Sequence, residues 1–237
     1  MSYNKIIRDF KEAERLLTEH GEYFDRTDEN AGGFVKDRVI HMNLYAVQAL
    51  LARVYWEKGD LETAKNYAMK VIDCPFFSME DKTNVEDIMN GVISDKETIW
   101  GLYSEEFPNY TRDVMYSSGG SYYYDPKPDY REIYEVDQDG FDYRLDKWFQ
   151  TLSDHGAEGL RCMKVVDRFK VRLQTRPVTK LSGINMIRLP ELYYIVAEYY
   201  LVADDMKMAA SYLDKVVRAR GSVSYTHLRA HETDSYL

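Results

Sequence analysis

Ala49-Leu50-Leu51-Ala52-Arg53-Val54-Tyr55-Trp56-Glu57-Lys58-Gly59-Asp60, followed by Ala64 and Val71-Ile72, is one of two stretches in this chain that share a pattern. The other is Tyr194-Ile195-Val196-Ala197-Glu198-Tyr199-Tyr200-Leu201-Val202-Ala203-Asp204-Asp205, followed by Ala209 and Val216-Val217. In each, two small alanines stand twelve residues apart (Ala52 and Ala64; Ala197 and Ala209), with a two-residue polar turn between them (Gly59-Asp60; Asp204-Asp205). The pattern predicts two antiparallel helices that meet through their small residues.

This is the tetratricopeptide arrangement, and the rest of the chain reads outward from it. Residues 4–19 place Ile6, Ile7, Phe10, Ala13, Leu16 and Leu17 on one face, which predicts an amphipathic helix. Residues 42–58 form the first strongly apolar helix, Asp60 caps a helix over 61–73, and Pro75 follows its end. A short helix is expected at 84–91 and an extended piece at 98–103. The stretch 104–183 is rich in aromatics, Gly, Pro, Asp and Ser and has no sustained helical period. Ser117–Ser121 and Asp125-Pro126-Lys127-Pro128 are turn chemistry, and 161–176 has the alternation of short strands. Helix returns at Pro190, with a partner helix over 206–219. The expected fold is all-α: helical over 1–103, a loop-rich insertion over 104–183, and a helical hairpin over 187–221.

The net charge of -9 argues against nonspecific nucleic-acid binding and against docking on an anionic membrane surface. No run approaches the length of a membrane-spanning helix, and no signal peptide is present. Met1 leads directly into the first helix, which fits a cytoplasmic protein and equally a chain whose true N-terminus lies further upstream. Cys74 and Cys162 are far apart and form no CxxC pair, so both read as small buried hydrophobes. Residues 222–237 break the pattern. His227, His231 and Glu232 have the spacing of metal ligands, yet the segment resembles translated sequencing-adapter read-through and is taken as a non-native tail.

Six words in order resemble the SusD/RagB family. They are residues 3–17 (a helix of the form "I..DL.eAe.lL"), Ala46–Tyr55 ("kAAakALLArvYl"), Asp95–Trp100 ("s.E.Ifei"), Asp142–Leu145 ("D.Rl"), Ile187–Glu198 ("iRlaEmYLi.AEa") and Asp214–Gly221 ("LN.vRaRaG", with Asp214 in place of Asn). The resemblance implies a partial SusD-like domain over 1–221, an α/α superhelix, covering less than half of a typical member. It implies an outer-membrane, surface-exposed lipoprotein of Bacteroidota, whose signal and lipidated cysteine are absent from this sequence. It further implies noncatalytic binding of an oligosaccharide, handed to a SusC-like TonB-dependent transporter. No cofactor is implied.

Sugar capture needs aromatic faces for C–H-rich sugar faces and polar groups for hydroxyls. Residues 107–149 supply both, and Tyr123, Tyr124, Tyr130, Tyr143 and Trp148 are the candidate ligand-binding residues, chosen by type and place. No catalytic or metal-binding residue is assigned. Trp56 and Trp100 read as packing residues. Asp137, Asp139, Asp142 and Asp146 raise the possibility of paired glycosidase carboxylates, against a solvated acidic loop in which Asp142 pairs with Arg144. Asp137-Gln138-Asp139-Gly140 resembles a calcium loop but lacks the downstream Glu. Two alternatives stay open. A tetratricopeptide-type protein–protein scaffold would continue in repeats through 104–183. An α-helical glycoside hydrolase would need two carboxylates in an aromatic cleft. Leu50, Val54, Tyr193 and Tyr200 are expected to keep exposed apolar surface.

Overall fold

In the computed structural model, the residues described are 3–20, 37–81, 93–94, 96–107, 110, 134, 142–154, 157–162 and 181–221. The expected helix at 84–91 lies outside them. The chain divides into two compact units. One comprises Met1–Met79, Asp95–Leu102 and Asn185–Val216, the other Glu80–Ser94, Tyr103–Ile184 and Val217–Leu237.

The first unit is helical: α1 (Tyr3–Glu19), a 3-10 turn (Arg38–Ile40), α2 (Leu44–Lys58), α3 (Leu61–Ile72), α5 (Leu189–Val202) and most of α6 (Met206–Ala219). Buried Asn43 starts α2. Its side-chain oxygen accepts the Ala46 N–H at 2.9 Å, and its amide nitrogen donates to the carbonyls of Arg38 (3.0 Å), His41 (3.3 Å) and Ile99 (3.3 Å). α2 ends at Gly59 in the left-handed region (φ 84), and Asp60 then accepts the Thr63 N–H at 3.2 Å to start α3. α5 and α6 repeat the construction. Asp204 takes the left-handed conformation (φ 60), and Asp205 accepts the Met208 N–H at 3.0 Å.

The hairpins are distant in sequence and adjacent in space. α1 packs on α2, α2 on α3, and α3 on α5. Ala52 and Ala64 are fully buried, and Ala197 and Ala209 nearly so, as close helix approach requires. Leu51, Val71, Leu189, Leu192 and Val196 complete the core between them. Two polar bridges join α2 to α5. Arg53 grips Glu191 with both Nε (2.6 Å) and Nη2 (2.7 Å), and the Trp56 indole donates to Glu198 at 2.7 Å. Both ends of the Arg53 pair are about one-third exposed, so it fixes register more than it adds stability. On α6, the Tyr212 ring stacks on Tyr200 at 5.7 Å, and its hydroxyl meets the Met69 sulfur of α3 at 3.5 Å.

α1 is bound by more than its apolar stripe. Its half-buried Glu14 receives Gln48 of α2 at 3.2 Å, and Lys70 (2.8 Å) and Tyr67 (3.1 Å) of α3. Burial pushes the Glu14 carboxyl up, but the hydrogen bonds and charge around it outweigh that and hold it below the usual carboxylate value.

β1 (Thr98–Tyr103), the extended piece expected from sequence, pairs with β4 (Gly183–Arg188). Glu97 is fully buried beside it, held by the Arg188 guanidinium, and its carbonyl accepts the Leu189 N–H at 2.9 Å where α5 begins.

One expectation needs correcting. Leu50, Val54, Tyr193 and Tyr200 are half-buried against the core cluster, and Tyr212 of α6 packs on the two tyrosines. On α5 and α6 the exposed large apolar side chains are instead Tyr194, Leu201, Val202 and Met206. Trp56, Trp100 and Cys74 pack as expected, and Cys74 is a buried free thiol. Among the described residues no helix is long and apolar enough to cross a membrane.

In the second unit, the span expected to be irregular holds a short helix, α4 (Arg144–Trp148), running into a hairpin of β2 (Phe149–Asp154) and β3 (Ala157–Cys162). The hairpin is antiparallel, with Phe149 opposite Cys162 and Asp154 opposite Ala157. Two residues, His155-Gly156, separate the strands in sequence.

The two turns give a matched test. Gly59 has open space around a prospective Cβ, so Gly59→Ala carries only the left-handed strain and is expected to cost about 1 kcal/mol. Asp204→Gly is expected to relieve the same strain and stabilise by about 0.5–1 kcal/mol. Urea midpoints of the two variants should move in opposite directions.

Glu14 gives a second. A folded-state pKa held below the unfolded one contributes stability that is present above the unfolded value and lost as pH falls through the folded value. Glu14→Gln should therefore be less stable than the native chain near pH 7, with the gap closing at an acidic pH below the usual carboxylate range. Urea unfolding at both pH values measures it.

Candidate functional site

Within the second unit, Tyr134 and Trp148 lie beside one guanidinium. Asp142 (1% exposed) sits just before α4. One carboxylate oxygen accepts the Arg144 backbone N–H at 2.9 Å, a local turn that starts the helix. The same carboxylate takes the Arg144 Nε at 2.9 Å and its Nη2 on the other oxygen, so the pair is bidentate. The Arg144 carbon lies 5.7 Å from the Tyr134 ring centre and 5.7 Å from that of Trp148. Tyr134 in turn meets Phe149 at 5.8 Å. Arg144 keeps 30% of its side chain exposed, so the cluster reaches the surface. Burial works against the Arg144 charge, but Asp142 outweighs it and the pKa rises.

Behind this cluster lies a buried polar network. The Tyr143 hydroxyl accepts Arg220 Nη1 at 3.1 Å and faces the Glu80 carbonyl at 3.4 Å. Arg220 Nη1 also donates to that carbonyl at 2.8 Å, and the Tyr143 N–H donates to the Arg220 carbonyl at 3.1 Å. Ser94 donates to the fully buried Glu80 carboxylate at 2.6 Å.

Of the five aromatic candidates, Tyr123, Tyr124 and Tyr130 lie outside the described residues. Tyr143 and Trp148 are brought together, and Trp148 packs partly buried against Tyr143. Tyr143 is only 6% exposed and bonds to Arg220 through its hydroxyl, whereas Trp148 and Tyr134 lie beside the Arg144 guanidinium. The Asp142–Arg144 pair exists, but Asp142 is buried rather than solvated. Asp137 and Asp139 are outside the described residues, as is the Asp146 side chain. Among the described residues no cluster of His, Cys, Asp or Glu has the makings of a metal site. Arg220, Glu80 and Ser94 were not singled out by the sequence, because their partners lie 14 to 140 residues away.

Tyr143→Phe removes the hydroxyl that buried Arg220 donates to and should cost about 1–2 kcal/mol, read as a lower urea midpoint with an unchanged slope.

No protein-family model matches the sequence. No curated protein matches it either. Solved structures do. A SusD-like carbohydrate-binding protein from Bacteroides vulgatus aligns over 94% of this chain and 44% of its own length, with a TM-score of 0.62 and 22% identity. A SusD superfamily protein from the same organism aligns over 92% of this chain and 46% of its own, at TM-score 0.60 and 20% identity. Surface glycan-binding protein A from Bacteroides uniformis aligns over 94% and 50%, at TM-score 0.59 and 16% identity. The chain thus spans about half the length of the structures it matches. At these TM-scores the chain shares their fold, and this protein has the SusD-like fold.

Proposed function

We propose that this chain is part of a SusD/RagB-family lipoprotein that binds an oligosaccharide without cleaving it. Under this reading, the protein sits on the outer-membrane surface through a lipid anchor carried elsewhere in the full protein. It passes its ligand to a SusC-like TonB-dependent transporter. The helical hairpins are scaffold, and the segment 104–183 carries the sugar site.

The observation that carries the proposal is the fold correspondence over more than nine-tenths of the chain with proteins described as carbohydrate- and glycan-binding. The Tyr134–Arg144–Trp148 cluster supports it, because an aromatic face beside a hydrogen-bond donor is the chemistry a sugar requires. The deep burial of Asp142, engaged on both oxygens by Arg144, speaks for binding over hydrolysis. A general acid or base must reach its substrate.

Isothermal titration of the chain with maltohexaose, xylohexaose and mannohexaose tests this. At least one is expected to bind saturably, and Trp148→Ala should weaken that binding roughly tenfold or more. Binding indifferent to Trp148 would move the site elsewhere in the chain. The absence of binding to any saccharide would refute the proposal for this chain.

A further inference from the structure

We infer that Arg144, held in place by Asp142, is the polar recognition group of this site, and that the pair selects uncharged sugars over uronic acids. The inference rests on the glycan-binding reading above and deepens it.

The geometry divides the guanidinium into two parts. Its Nε and Nη2 are taken by the Asp142 carboxylate, the bidentate mode that a uronate would otherwise use. No hydrogen bond among the described residues uses Nη1, so its two N–H groups remain to donate. The Tyr134 and Trp148 ring centres each lie 5.7 Å from the same guanidinium carbon, within cation–π range. A sugar resting against the Trp148 edge would find a fixed donor within reach of its hydroxyl oxygens. Little rotamer freedom is left for Arg144 to lose on binding, which favours affinity.

Charge decides the class of sugar. An unpaired arginine at an aromatic platform would attract carboxylates. This one is neutralised by a carboxylate that is itself almost fully buried and therefore poorly screened. In the adjoining network the Arg220 guanidinium is turned to the Glu80 carbonyl and the Tyr143 hydroxyl. An approaching uronate would gain from Arg144 and lose to Asp142 a few ångströms behind it. A hydroxyl oxygen carries no such penalty. Asp142 is thus a positioning residue that acts through Arg144, fixing its fork and cancelling its charge.

The test titrates the chain with the three neutral hexasaccharides and with hexagalacturonate. The native protein is expected to bind one neutral sugar at least about tenfold more tightly than hexagalacturonate. Asp142→Asn keeps an oxygen for the Arg144 backbone N–H but removes the charge. It should shrink that preference by about tenfold and make hexagalacturonate binding fall with added salt. Arg144→Lys keeps the charge but loses the fork, and should weaken neutral-sugar binding about tenfold with the thermal midpoint nearly kept. If Asp142→Asn fails to fold, the native selectivity and the Arg144→Lys result decide. Native preference for hexagalacturonate would overturn the inference, as would variants with native affinities and ratio. Binding that depends on Trp148 but not on Arg144 would remove the inference and leave the glycan reading standing. Failure to bind any saccharide would remove both.

Discussion

Everything in the helical unit depends on α3 lying against α5. Neither hairpin can bury both faces by itself, and the partner that covers α3 arrives after more than a hundred intervening residues. Such a contact stabilises only if the helices come close, which is why Ala52, Ala64, Ala197 and Ala209 are buried alanines. Larger side chains there would separate the backbones and open the core around Leu51, Val71, Leu192 and Val196. The ion pair Arg53–Glu191 and the Trp56–Glu198 hydrogen bond run along the same seam. They set which turn of α2 faces which turn of α5, while the apolar contacts provide the energy.

That contact requires the chain to leave the helical unit and come back to the same place. The pairing of β1 with β4 meets the requirement. Glu97, at the outgoing strand, bonds through its carbonyl to the first residue of α5 and through its carboxylate to Arg188. Asn43 ties the start of α2 to Ile99 in the outgoing strand. The entropy of closing a long segment grows only slowly with its length. A few buried hydrogen bonds at the point of return therefore hold a large excursion.

What could be read from sequence follows the range of the interactions. The hairpins were legible because period, small residues and turn chemistry all lie within a few residues of one another. Asp60 as a cap and the Asp142–Arg144 pair were legible for the same reason. The β2–β3 hairpin was not, since Phe149–Asp154 and Ala157–Cys162 mix polar and apolar residues with glycine and hardly alternate. The packing partners of Tyr143 were invisible because Glu80 and Arg220 reach it only through the tertiary fold. A tyrosine chosen for its type and place therefore proved to be an interior residue, while the Trp148 ring five residues on lies beside a surface guanidinium. The exposed apolar residues were misassigned for a related reason. Which side of α5 is covered depends on where α3 and α6 lie, not on α5 itself.

The hydrogen bonds between Ser104 and Ser182 have a consequence for how such a protein can diversify. The Ser104 N–H donates to the Ser182 carbonyl at 3.0 Å, and the Ser182 hydroxyl returns to the Ser104 carbonyl at 3.0 Å. The intervening residues thus begin and end at one clasp. A lineage can lengthen, shorten or exchange what lies between them while each hairpin keeps its neighbours, much as a jeweller resets a stone without recasting the ring.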